Sequence, residues 1–163
     1  KNVALTISKY YSLFNTESAR IIGKENVALN HTNVQVKGNV IEDGDIINQG
    51  DCLNVKLNFT FLIPVKKVKC KLFFINNDTR NVLDIPLEIN QNFLEVLDEK
   101  NTTISLETEP LFLNGGKYLC TFVILDAEDD NRLYRHDNIF NLTIHSDYYS
   151  WSDIVAKAKW SIN

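Results

Sequence analysis

The stretch from Leu113 to Ile144, LNGGKYLCTFVILDAEDDNRLYRHDNIFNLTI, constrains this chain more than any other. It reads as two long strands joined by an acidic turn. The first opens at Gly115-Gly116-Lys117-Tyr118 and alternates through Cys120, Phe122 and Ile124. The turn runs from Asp126 to Asn131. The second strand carries Phe140, Leu142 and Ile144 at alternate positions. Successive side chains on a strand point to opposite faces, so each apolar set lines one face.

The same alternation recurs upstream. Leu53, Val55, Leu57, Phe59 and Phe61 alternate with Asn54, Lys56, Asn58 and Thr60, and Pro64 ends that strand. Val68, Cys70, Leu72 and Phe74 form the next inward row, with Lys69, Lys71, Phe73 and Ile75 on the other side. Val27 to Val36 reads as the entry strand. Shorter strands are expected at Ile46-Ile47 and Thr103 to Glu107, and Phe93 to Leu97 is a helical turn or a short strand. Asn81 to Ile89 reads as an edge or bulged strand, because Pro86 has no N–H to give to a ladder. Turn clusters stand at Glu42 to Asp45 and at Asn48 to Asp51. Val3 to Phe14 is read as a helix, and Asn15 to Asn26 as a connecting segment with a short strand at Ala19 to Ile22.

Many short strands with regular turns give an all-β sandwich. The glycine pair, Tyr118 and the two-residue step to Cys120 look like the tyrosine corner of an immunoglobulin-like domain. The expected architecture is therefore an immunoglobulin-like antiparallel β-sandwich. Residues 1–26 form an N-terminal extension, and 27–163 form the sandwich with a dimerisation segment at about 146–163. Leu53, Val55, Leu57, Phe59, Leu72, Tyr118, Phe122, Leu142 and Ile144 are the expected core. Trp151 and Trp160 are too large and apolar to stand in water, and are assigned to a dimer contact.

The 163 residues suffice for one domain with a sizeable core. A net charge of -4 and a pI near 5.4 argue against a nucleic-acid partner, since phosphate backbones need a basic footprint. No apolar run is long enough to span a bilayer, and the sequence shows no basic start with a small-residue cleavage site. Methionine is absent and the chain begins at Lys1, so it reads as a fragment of a longer protein. Cys52, Cys70 and Cys120 are odd in number and lack a disulfide framework, and Cys52 has the wrong parity to face inward. Reduced thiols are expected, which favours the cytoplasm. Asn-x-Thr triplets at Asn30, Asn58, Asn77, Asn101 and Asn141 are read as chance in an asparagine-rich chain rather than glycosylation sites.

Neither a metal motif nor a nucleophile elbow is present, and no cofactor or metal is expected. Asp126, Glu128, Asp129 and Asp130 read as an acidic hairpin turn ahead of a calcium site. His136 beside Asp137 reads as an exposed loop pair ahead of an acid/base couple. More telling is the second face of the long strands. Lys69, Lys71 and Phe73 lie on one strand, Leu119, Thr121 and Val123 on another, and Ile139, Asn141 and Thr143 on a third. A freely solvated face would be more polar. This face meets a ligand, a second subunit or the tail of the chain.

At Gly50-Asp51, the Leu53–Phe61 strand, Gly116-x-Tyr118, Asp126, Tyr134-Arg135-x-Asp137 and Ala158-Lys159-Trp160, the chain resembles a known family. It is similar, over residues 17 to 163, to the C-terminal carbohydrate-binding domain of the Wzt-type ATPase subunit of bacterial O-antigen polysaccharide ABC exporters. The resemblance implies a noncatalytic module that binds a specific O-antigen glycan before export. It also implies a homodimer that exchanges its C-terminal segment. An upstream nucleotide-binding domain and a transmembrane exporter subunit would be partners, with the protein cytoplasmic and peripheral to the inner membrane. The glycan is expected on the second face at Lys71, Phe73, Thr121 and Asn141, with Tyr134 and Arg135 at the rim. The competing readings are a protein-interaction sandwich of the adhesin type, working through a strand edge, and a hydrolase with an unrecognised site.

Overall fold

The computed structural model describes residues 20–42, 45–87, 91–148 and 150–155. The strands, in chain order, are β1 (Ile21–Ile22), β2 (Val27–Val36), β3 (Asn39–Val40), β4 (Ile46–Asn48), β5 (Asn54–Phe61), β6 (Lys67–Ile75), β7 (Asn81–Pro86), β8 (Leu94–Glu95), β9 (Thr102–Glu107), β10 (Gly116–Asp126) and β11 (Arg132–His145). A seven-stranded sheet has the order β1-β11-β10-β6-β7, with β4 also beside β11 and β8 beside β6. A four-stranded sheet has the order β3-β2-β5-β9. The architecture is the expected all-β sandwich. One pairing departs from antiparallel: β4 runs parallel to β11.

Alternation decides the packing. Along β5 the odd-numbered Val55, Leu57, Phe59 and Phe61 are buried, and along β6 the even-numbered Val68, Cys70, Leu72 and Phe74 are. The two rows meet between the sheets. Phe59 stacks on Phe122 with ring centroids 5.7 Å apart, and Tyr134 meets Phe59 edge-on at 5.7 Å. All nine expected core residues are buried. Cys70 and Cys120 are buried free thiols, and Cys52 is exposed.

The tyrosine corner is present. The Tyr118 hydroxyl donates to the Asn114 carbonyl at 2.8 Å while its ring sits in the core. β1 reaches β2 through a turn that only glycine permits. Gly23 has φ +81°, and a Cβ there would lie 2.0 Å from the Leu133 carbonyl oxygen.

Several expectations are corrected or lie elsewhere. β11 begins at Arg132, straight after the acidic turn, so Tyr134 to Asp137 stand in a strand and not in a loop. Tyr134, expected at the rim of the glycan site, is 2% exposed and belongs to the core. The short strand expected within Ala19 to Ile22 is present as β1, which pairs with β11 through Ile21 opposite His136 and Ile22 opposite Arg135. β7 is an edge strand, as Pro86 required. The expected helix at Val3 to Phe14 lies outside the described residues, as does Trp160.

Candidate functional site

The outer face of the large sheet is built by register. β6, β10 and β11 are neighbours in that order, so their outward side chains form rows across the sheet. In one row Asp84, Phe73 and Thr121 stand opposite one another on β7, β6 and β10. In the next, Pro86, Lys71, Val123 and Arg135 follow from β7 to β11. On the other side Ile75, Leu119 and Asn141 form a row. Lys71, Phe73, Thr121, Arg135 and Asn141 therefore share one face. Tyr134 points through the sheet into the core.

A bulge shapes the middle of this face. Cys120 pairs with Phe140 but Phe122 pairs with His136, so β11 has extra residues between these points. Asn138 takes φ 54° there. The bulge brings Asp137 beside Thr121, whose hydroxyl donates to Asp137 Oδ1 at 3.3 Å. Arg135 Nε donates to the same oxygen at 2.6 Å. Asn141 Nδ2 donates to Asn138 Oδ1 at 3.4 Å. Thr121 is 1% exposed and Val123 7%, so this face is well removed from water at its centre.

His136 and Asp137 are not an exposed loop pair. They alternate on β11, with Asp137 outward and His136 turned toward the Tyr134 hydroxyl, 3.0 Å from its Nδ1. Burial lowers the His136 pKa, Asp137 pulls it up, and Lys24 lowers it further. Burial also raises the Tyr134 phenol to about 12. The acidic turn after β10 is organised by its own backbone. Asp126 Oδ1 accepts the Glu128 amide and Asp129 Oδ1 the Asn131 amide. Asp130 pairs with Lys69 at 2.5 Å. Among the described residues, no group of histidines, cysteines and carboxylates is arranged to hold a metal ion.

An apolar cleft of about 70 Å³ opens between the sheets where β6 and β7 approach β9. Its walls are mainly Leu72, Ile85, Leu87, Ile104, Leu106 and Phe122, with Lys71 and Ser105 the polar members.

Sequence reasoning passed over the outer face of the small sheet. Asn30 Nδ2 donates to Asn58 Oδ1 at 2.8 Å and contacts Thr60 Oγ1 at 3.0 Å. Asn58 Nδ2 donates to Asn101 Oδ1 at 2.7 Å and to Thr103 Oγ1 at 3.0 Å. Thr60 closes the end of this ladder on the Lys100 carbonyl at 2.9 Å. The signal was in the Asn-x-Thr triplets. On a strand, residues two apart share a face, so Asn58 and Thr60 had to point the same way.

No protein-family model matches this sequence, and no curated protein sequence matches it. Among solved structures, the chain is similar to the C-terminal domain of Wzt, with a TM-score of 0.77 at 14% identity, over 91% of this chain and 90% of that one. It is also similar to a Niemann-Pick type C2 protein from the Japanese carpenter ant, with a TM-score of 0.51 at 13% identity, over 79% of this chain and 100% of that one. At such identities the likeness is one of fold. The chain has the β-sandwich fold of the C-terminal domain of Wzt, the resemblance its motifs carried.

Proposed function

We propose that this domain is a noncatalytic glycan-binding module that recognises an O-antigen polysaccharide and couples it to an ABC exporter. One observation carries the reading. Lys71, Phe73, Thr121, Arg135 and Asn141 are gathered by three neighbouring strands onto one half-buried face. Sugars offer C–H faces that pack on aromatic rings and hydroxyls that need directional donors and acceptors. Phe73 supplies the ring. Asn141 supplies the amide, while Thr121, buried beneath the face, steadies Asp137 through its hydroxyl. Arg135, held through Nε by Asp137, keeps the rest of its fork for hydroxyls or an anionic substituent. The fold likeness to the Wzt C-terminal domain supports the same reading.

The module works as a homodimer within a transporter, with a nucleotide-binding domain upstream and a transmembrane exporter subunit as partners, at the cytoplasmic side of the inner membrane. Among the described residues no helix is long and apolar enough to cross a membrane. The dimer contact is assigned to the tail, where Trp151 is 94% and Ile154 53% exposed.

Titration calorimetry with lipid-free O-antigen polysaccharide from the source cells tests the function. Saturable binding with the polysaccharide recovered at unchanged length is expected. Absence of binding, or shortening of the chains, would overturn it.

A further inference from the structure

We propose that the outer face of the small sheet is a second carbohydrate surface, which holds a neighbouring stretch of the same polysaccharide through the Asn30–Asn58–Asn101 ladder. This rests on the glycan-binding reading of the large-sheet face. The two faces differ in kind. The large-sheet face is half-buried and carries an aromatic ring. The ladder is exposed and made of amides and hydroxyls.

The ladder is polarised. Asn30 spends its amide nitrogen on Asn58 and Thr60, and Asn58 spends its own on Asn101 and Thr103. At one end the Asn30 carbonyl oxygen has only a long 3.4 Å contact with Thr60. At the other, no hydrogen bond within the described residues uses the Asn101 side-chain nitrogen Nδ2 or the Thr103 hydroxyl proton. An acceptor thus stands on one side and donors on the other, about two strand spacings or roughly 10 Å apart. A sugar hydroxyl both donates and accepts, so a chain of sugars laid across the three strands meets both ends. Because each amide is already fixed by its neighbour, little side-chain freedom is lost on binding.

Charge selects the partner class. On β5 and β9 the outward Lys56 is offset by the outward Glu107, and Lys37 is held by Asp51 at 2.7 Å. Such a face fits a neutral hydroxylated chain better than an anionic polymer. Farther along the same face the side-chain oxygens of Asn33 and Asn54 are buried without a hydrogen-bond partner.

The test uses the whole domain, the double variant Asn101→Ala/Thr103→Val, and Phe73→Ala. The probes are lipid-free polysaccharide from the source cells and fragments of a few repeats cut from it. Wild type should bind the long chain more tightly than the fragments. The double variant should lose about tenfold or more of its long-chain affinity and keep its fragment affinity. Phe73→Ala should weaken both. Side-chain amide NMR signals of Asn30, Asn58 and Asn101 should shift when wild type meets the long chain. Unchanged long-chain affinity in the double variant, with unmoved amide signals, would overturn the second surface and leave the first intact. Failure of wild type to bind either probe would remove both.

Discussion

Tyr118 donates its hydroxyl to the carbonyl of Asn114, and Asn114 in turn ties the segment 150–155 to the sandwich. The Asn114 amide proton goes to the Asp153 carbonyl at 2.8 Å, and its side chain donates to the Ser150 carbonyl at 2.5 Å. Val155 donates to Phe112, and Leu113 bridges Ile154. The tyrosine corner and the tail are therefore one structure. Tyr118→Phe should cost about 0.5–1.5 kcal/mol, the net worth of one hydrogen bond. Urea denaturation measures this, and an unchanged midpoint would mean that the corner does not stabilise the sandwich.

The centre of the core rests on Phe59 and Phe122, 0% and 3% exposed and stacked across the two sheets. Each truncation to Ala should cost about 3–5 kcal/mol. The double variant should lose less than the sum, because the second truncation opens a cavity already formed by the first. Strict additivity in chemical denaturation would contradict the stacked contact.

Acid should weaken the domain in two steps. Burial holds the folded His136 pKa below the ordinary 6.5, so the unfolded chain takes the proton first. The associated stability is whole above 6.5 and falls as pH drops from there through the lowered folded value. His136→Gln should be less sensitive between about pH 7.5 and about pH 5 than wild type. Asp51 follows at lower pH. Burial raises its pKa, but Lys37 and the Asn48 amide outweigh burial and bring it below the ordinary 3.8. Its contribution is present above 3.8 and lost as pH falls through the lowered value. Lys37→Gln should reduce this second step in an acid-unfolding series, and an identical profile would contradict the assignment.

Deleting residues after Ser146 should convert a dimer to a monomer, as measured by light scattering. The sandwich is already complete in β11, so the truncated domain should remain folded. A monomer of the undeleted 163-residue chain would contradict the assignment of Trp151 to an interface.

Alternation made the core legible. One buried side chain in two fixes both the strand and its inward face, so the β5, β6 and β10 rows could be read directly. The bulge could not be read. Between Cys120 and Phe122 the partner strand gains two residues, which keeps the even-numbered side chains of β11 inward, but the polar run Arg135 to Asn138 hides the apolar row there. That polar run reads as a loop, which moves the expected start of β11 toward Phe140 and leaves Tyr134 at the rim, although Tyr134 shares the inward parity of Phe140. The shared face of Lys71, Phe73, Thr121 and Asn141 followed from parity alone. The amide ladder joins residues 28 to 45 positions apart, and only the fold brings them together.

The central claim is that sugars bind the outer face of β6, β10 and β11. Phe73→Ala and Asn141→Ala, each checked for unchanged fold and mass, should be titrated with the O-antigen polysaccharide. Each should lose about 1 kcal/mol of binding energy, roughly fivefold in affinity. Wild-type affinity in both variants would contradict the account.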